Sequence, residues 1–201
     1  VLTITWARRF ADYKRAWLIL MDKDRINKLL DENKIQIIFA GKFHPDDVMG
    51  KEMFNKLLNR SHTLKNVVVL PGYELQLSGM LKRGTDVWLN TPLRPFEASG
   101  TSGMSANANG ALHLSTFPGI NGYTVEYPEI DDDMPWEERH WADHRCMMDI
   151  IENQIIPTYY NNKQEWARMM RQAIRTAEAY FNSDRMVIEY YNRLYKPIAH
   201  D

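Results

Sequence analysis

Ile35-Gln-Ile-Ile-Phe-Ala40 is a continuous apolar run of strand length, closed by Gly41 and Pro45. A strand with so few polar positions has no solvated face, which marks a parallel strand covered by helices on both sides. Val1-Leu-Thr-Ile-Thr-Trp6 reads the same way. Between the two, Trp17, Leu18, Met21, Ile26, Leu29 and Leu30 recur near helical spacing and predict a helix from about Asp12 to Leu30, ended by Asn33 and Lys34. Downstream, Val48, Met49, Met53, Phe54, Leu57 and Leu58 predict a second helix beginning near Asp46 and Asp47, whose charges suit the positive end of a helix dipole. Val67-Val-Val-Leu70 predicts a third strand and Leu75 to Lys82 a short helix. Asp86-Val-Trp-Leu-Asn90, a Ser/Gly/Ala-rich segment after Glu97, and Ala111-Leu-His-Leu-Ser115 continue the alternation. Strand, helix, strand, repeated, calls for right-handed crossovers and a Rossmann-like parallel sheet with helices on both faces, over residues 1–116.

Residues 117–143 break this rhythm with Pro118, Gly119, Gly122, Pro128, Pro135 and the run Asp131-Asp-Asp133, and are expected to form a long surface loop. Residues 144–201 are expected to be C-terminal helices. In them Trp166, Met169, Met170, Ala173, Ile174, Ala177 and Phe181 form an apolar stripe, and Met186 to Tyr195 form a second, aromatic-rich helix, both packing on the sheet.

Composition limits the function classes. The chain has 201 residues, 44% of them hydrophobic, with 25 Lys+Arg against 26 Asp+Glu. Its pI is near 6.7. A nearly neutral globular chain has no general attraction to nucleic acid or an acidic membrane, so any anion site is local. The single Cys146 allows no internal disulfide and argues against a structural zinc site, so no metal is expected, and a reducing cytoplasm fits best. No apolar run reaches the roughly 20 residues of a bilayer span. Val1, at the head of a buried strand, leads us to expect a single domain belonging to a longer protein.

Ligands of open parallel sheets lie beyond the C-terminal strand ends, so the segments after the strands carry the functional reading. Ala7-Arg-Arg-Phe-Ala-Asp-Tyr-Lys-Arg15 puts four cations and one carboxylate into nine residues. Arg9 and Lys14, between a strand end and a helix, can face a phosphate. In Phe39-Ala-Gly-Lys-Phe-His-Pro45, Gly41 permits close backbone approach, while Lys42 and His44 read as ordinary loop residues. Arg94-Pro-Phe-Glu-Ala-Ser-Gly-Thr-Ser-Gly-Met104 is more specific. Its small residues leave backbone N–H groups unshielded for a phosphate or sugar, and Glu97 can accept hydrogen bonds from sugar hydroxyls.

Taken in order, RRFADYKR, FAGKFHP, DVWLNTPLRPFEASGTSGM and NGAL, with the later DIIENQIIPTYY and RMVIEYYNRLY, resemble the C-terminal domain of the α-glucan (glycogen, maltodextrin) phosphorylases over nearly the whole chain. The resemblance implies one half of a GT-B type two-domain glycosyltransferase. It implies phosphorolysis of α-1,4-glucan by orthophosphate to glucose 1-phosphate with retention, in a cleft shared with an N-terminal domain of the same protein. An isolated fragment would then be inactive. By the same resemblance, Arg9 and Lys14 hold the substrate phosphate as the catalytic pair. Arg8 stands for a Lys near the cofactor phosphate, and Glu97, Ala98, Ser99 and Gly100 bind the glucosyl hydroxyls. Thr101 and Ser102 hold the phosphate of pyridoxal 5'-phosphate, and Tyr73 lies near its ring. A homodimer is left open.

One position departs from the family. The lysine that forms the Schiff base follows the Met of the motif, and here Met104 is followed by Ser105, whose hydroxyl forms no imine. Pyridoxal phosphate is therefore expected from the family, with covalent attachment not possible at Ser105; no other Lys lies between Arg83 and Asn162, and only a residue such as Lys42 could approach in space. Two alternatives stand beside phosphorolysis: glucosyl transfer from a nucleotide sugar, which needs no pyridoxal, and a non-catalytic glucan-binding homologue.

Overall fold

Six strands run parallel in one sheet: β1 (Leu2–Ala7), β2 (Ile35–Ala40), β3 (Val67–Leu70), β4 (Val87–Asn90), β5 (Leu112–Ser115) and β6 (Gly122–Thr124). Their spatial order is β3-β2-β1-β4-β5-β6, the doubly wound Rossmann order. The computed structural model describes residues 1–97, 100–116, 122–125 and 134–196. β1 pairs with β2 along its whole length, from Leu2 opposite Ile35 to Ala7 opposite Ala40. On its other side β1 pairs with β4 through Ile4 and Thr5. The order reverses between β1 and β4, and sheets of this order take their ligands beyond the strand ends at that point.

Every residue of β1 is buried, as a strand at the centre of the sheet requires. In β2 the burial alternates, with Ile35, Ile37 and Phe39 buried while Gln36 and Ile38 are half-covered. The main core lies on the face of Leu2, Ile4, Trp6, Ile37, Phe39 and Leu89, under α1 (Lys23–Asp31), α2 (Val48–Ser61) and α5 (Trp136–Ile150). On the opposite face, a smaller cluster of Ala7, Ala40, Trp88, Ala106 and Ala111 packs under α3 (Leu75–Gly84) and α4 (Thr101–Asn107). Its small side chains let α4 approach the strands closely.

Three expectations change. The helix expected from about Asp12 begins only at Lys23, after two 3₁₀ turns at Asp12–Lys14 and Leu18–Leu20. Leu18, Ile19 and Leu20 are consecutive and all buried, so they form no one-sided stripe. Arg15 has φ 47°, in the left-handed region, and breaks the helical path. Asp22 then caps α1 by accepting from the Arg25 N–H at 3.0 Å, a contribution of about 1 kcal/mol.

The expected loop 117–143 contains β6 and the start of α5. The Pro/Gly signals hid a three-residue strand and a helix that follows Pro135 directly. The rest of that stretch, 117–121 and 126–133 with its acidic run, lies outside the described residues. Of the C-terminal helices, α5 runs on through a π-helical turn at Ile151–Ile155 into α6 (Ile156–Asn161), and α7 (Lys163–Tyr180) packs as expected, burying Trp166, Ala173 and Ala177. α8 (Ser183–Tyr190) and its π-helical end Tyr191–Tyr195 do not, since Met186, Val187, Ile188, Tyr190, Tyr191, Leu194 and Tyr195 are all exposed. Their apolar positions fall on adjacent residues round the helix, and a sheet can cover only a single stripe. No helix among the described residues is long and apolar enough to cross a membrane.

Arg15 joins the loops after β1 and β4. Its side chain is 1% exposed and pairs with Asp143 of α5 at 2.7 Å. Its Nε and Nη2 donate to the carbonyls of Thr91 and Pro92, each at 3.0 Å, and Nη1 donates to His140 Nδ1 at 3.1 Å. Thr91 Oγ1 bonds the Lys14 and Arg15 carbonyls in turn, and Leu93 N–H donates to the Tyr13 carbonyl at 2.7 Å. Replacing Arg15 by Met leaves Asp143 buried without its closest cation. It should cost about 3–5 kcal/mol of unfolding free energy, read as a lower urea midpoint at unchanged slope. A loss below about 1 kcal/mol, the level of an exposed pair, would show that the network does not hold the two loops.

Candidate functional site

The loops at the C-terminal ends of β1 and β4 meet at the reversal point of the sheet. Arg8 comes directly after β1, and its backbone is held by an N–H donated to the Ala40 carbonyl at 3.0 Å. Gly41 makes this approach possible, because a Cβ there would stand 2.1 Å from the Arg8 carbonyl oxygen. The close approach expected of Gly41 is thus directed at Arg8. Lys14 ends the first 3₁₀ turn, so the cations sit on a compact turn and not at a helix N-terminus as the sequence suggested.

Glu97 joins the two cations. Its Oε2 lies 3.1 Å from Arg8 Nη1 and its Oε1 3.3 Å from Lys14 Nζ. Arg8 Nη2 donates to Ser102 Oγ at 3.4 Å, and so does Trp88 Nε1 at the same distance. Arg8 Nε is buried with no hydrogen-bond partner among the described residues. Burial lowers the pKa of Arg8 from its ordinary value, and Glu97, Tyr13 and Tyr73 oppose that fall. Tyr73 donates its hydroxyl to Ser78 Oγ at 2.8 Å and packs in the smaller core cluster.

Of the predicted site residues, the structure brings Arg8, Lys14, Glu97 and Ser102 into one constellation, with Tyr73 close enough to act on the Arg8 charge. Gly100 borders it, since a Cβ there would meet both Arg8 Nη2 and Glu97 Oε1 at 3.8 Å. Arg9 is exposed and Thr101 opens α4 on its exposed side. Ala98 and Ser99 lie outside the described residues. Ser105 donates back to its own helix, 3.1 Å from each of the Thr101 and Ser102 carbonyls. Lys42 pairs with Glu74 at 3.7 Å where both are exposed, and His44 Nδ1 accepts from the Asp46 N–H, as loop residues do.

Sequence reasoning passed over three participants. Arg15 counted as one more cation of the cluster, but it is buried and structural. Trp88 read only as a strand residue, yet its indole fixes Ser102. His113 of β5 lies directly under α4: a Cβ on Gly103 would stand 2.6 Å from its ring. Burial, and then the Arg8 charge, push its pKa down to about 4. Its Nε2 has no hydrogen-bond partner among the described residues. The signal was available in Ala111-Leu-His-Leu-Ser115, where a polar ring interrupts an apolar strand two residues before its end. Among the described residues no group of His, Cys, Asp and Glu converges as metal ligands would.

No family model matches the chain. Curated relatives do. It is 40% identical to the maltodextrin phosphorylase of Thermococcus litoralis over 96% of its own length and 25% of the relative's. It is 39% identical to the glycogen phosphorylase of Aquifex aeolicus over 98% of its length and 30% of that protein. Against the glycogen phosphorylase of Mycobacterium tuberculosis the figures are 35%, 99% and 25%. The chain belongs to the glycogen and maltodextrin phosphorylase family. It spans about a quarter to a third of the length of these relatives.

Family membership raises the question of pyridoxal phosphate, and the residues answer it in two parts. A phosphate fits: Arg8 is a buried cation with a spare donor, beside a serine hydroxyl. An imine does not fit. Position 105 offers a hydroxyl, Lys14 is engaged by Glu97, and Lys82 Nζ lies over the Trp88 ring, 5.8 Å from its centroid.

His113 makes stability depend on pH. Its imidazole stays neutral in the fold down to about pH 4, whereas in the unfolded chain it titrates near its ordinary value of 6.5. The unfolded chain therefore binds the proton first. Stability should fall as pH drops from about 6.5 to 4 and level off below, by up to about 3 kcal/mol. His113→Asn should flatten that segment of a urea-midpoint against pH curve; an unchanged curve would assign the slope to other groups.

Proposed function

We propose that this chain forms one wall of the catalytic cleft of an α-glucan phosphorylase of GT-B architecture, which cleaves α-1,4-glucan with orthophosphate to glucose 1-phosphate. The observation that carries this reading is the convergence of Arg8, Lys14, Glu97 and Ser102 at the reversal point of the sheet. Membership in a family whose named members are phosphorylases supports it. Lys14, joined by Arg9, holds the substrate phosphate dianion beside the bond to be broken without needing to move a proton, and the pair stabilises the negative charge facing an oxocarbenium-like carbon. Glu97 supplies acceptors for sugar hydroxyls and contributes to orientation. Arg9, exposed beside Arg8, is free to reach across the cleft to a phosphate or to the opposite wall. The rest of the protein completes the site.

Pyridoxal phosphate, on this reading, is held without a covalent bond, its phosphate on Arg8 and Ser102. The group would supply a second phosphate next to the substrate's. Ser105 also favours a second reading, transfer from a nucleotide sugar, in which the same cations bind the donor's phosphates.

Full-length protein supplied with pyridoxal phosphate should release glucose 1-phosphate from glycogen and orthophosphate, and Lys14→Met should lower kcat/KM at least about 100-fold. Absence of that product together with glucan elongation from a nucleotide sugar would overturn phosphorolysis in favour of the second reading. Wild-type protein treated with pyridoxal phosphate and borohydride should show no mass adduct at this site, whereas Ser105→Lys should acquire one. An adduct on the wild-type chain at Lys14 or Lys82 would refute noncovalent retention.

A further inference from the structure

The Glu97 carboxylate occupies the place expected for a ligand. It presents two oxygens to two cations from a different loop, Oε2 to Arg8 Nη1 at 3.1 Å and Oε1 to Lys14 Nζ at 3.3 Å. A phosphate would take the same donors. All three side chains are mostly covered, at 7%, 13% and 18% exposure. A carboxylate balances only one of the two positive charges and makes no hydrogen bond with Arg8 Nε, which is buried with no hydrogen-bond partner among the described residues. Ser102 Oγ, 3.4 Å from Arg8 Nη2, accepts there and keeps its own proton available. The pocket thus holds one negative charge where its donors suit two.

Building on the phosphate site of the proposed function, we propose that Glu97 is an internal anion that plugs the Arg8–Lys14 site and that a phosphate dianion displaces it. The dianion brings the second negative charge and further acceptor oxygens, enough for both cations and the Ser102 hydroxyl. Once displaced, Glu97 is an acceptor-only group without its cations, and it must find donors. Sugar hydroxyls supply them. Phosphate binding therefore creates the sugar contact, and a sugar that holds Glu97 away from Arg8 and Lys14 opens the phosphate site. By linkage the two ligands must raise each other's affinity by the same factor. Glu97 is in this way a switch between a plugged site and a loaded one, and the glucan is bound most tightly when the displacing phosphate is already present.

Calorimetric titration of the full-length protein tests this with inorganic phosphate and maltoheptaose, each alone and in the presence of the other. Repeating the phosphate titration with pyridoxal 5'-phosphate already bound distinguishes inorganic phosphate from the cofactor's phosphate as the displacing group. The wild type should show mutual tightening of at least about fivefold. Glu97→Gln keeps the shape and removes the competing charge, so it should bind phosphate about tenfold more tightly and lose the coupling. Phosphate affinity unchanged or weakened in Glu97→Gln overturns the plug, and so does coupling that survives the substitution. The wild-type titrations need no variant, so a Glu97→Gln protein that fails to fold leaves independent binding of the two ligands as the refuting result. If the wild type binds phosphate and Arg8→Met abolishes that binding, the phosphate site stands even when the plug fails. If no phosphate binds at all, both fall.

Discussion

Arg15 is the constraint on which the rest of the site depends. A guanidinium withdrawn from water survives only when its donors are met, and meeting them requires the loops after β1 and β4 to lie side by side against α5. The Thr91 and Pro92 carbonyls, the Asp143 carboxylate and His140 are all drawn to one point. Because Arg donates and cannot accept, its contact with His140 requires an unprotonated Nδ1, in keeping with a His140 pKa lowered by burial and by the Arg15 charge. The left-handed backbone of Arg15 is the local cost of this arrangement. From that fixed point Lys14 is one residue upstream, and Glu97 is set by a short loop that α5 also braces, through Arg94 near Asp143 and Phe96 on the Trp136 ring. Neither Lys14 nor Glu97 could be placed within hydrogen-bond range of the other by its own propensities.

Much of this was legible in the sequence, and the reason is physical. Strands near the centre of the sheet have to be apolar at nearly every position, so Ile35–Ala40 was found with its limits; Val67–Leu70, an edge strand with Val68 exposed, was found by its β-branched run, and the alternation with helices led to the parallel sheet. Lys14 and Glu97 were legible because ligands of a parallel sheet lie beyond its strand ends; Arg8 and Ser102 entered through the family resemblance, and Arg9, read together with Lys14, stays exposed. What escaped were features set by tertiary contact. The segment Asp12–Met21 has helical spacing by accident of composition, since its apolar residues are buried on all sides. α5 begins after Pro135 in a stretch whose turn residues argued for a loop. α8 carries apolar residues that the sheet never covers, and only coordinates could separate a stripe that packs from one that does not. Arg15 and His113 escaped for the same reason: burial turns a surface residue type into a structural one, and periodicity does not report burial.

Position 105 shows how far local chemistry can be separated from the scaffold around it. Ser105 satisfies its hydroxyl on the Thr101 and Ser102 carbonyls, a bond that a side chain in mid-helix makes at little cost. α4 therefore keeps its length, its Gly103 contact with His113 and its serine on Arg8, with no lysine in the helix. Holding phosphate and forming an imine are distinct tasks in this fold. On the proposed reading the first rests on Arg8, Lys14 and Ser102, which the loops and sheet position jointly; the second would rest on one amine that nothing else in the domain needs. A change at 105 can therefore remove covalent attachment while leaving Arg8, Lys14 and Ser102 in place, because Arg15 fastens the β1 and β4 loops and Trp88 and Arg8 hold Ser102, none of which involves position 105.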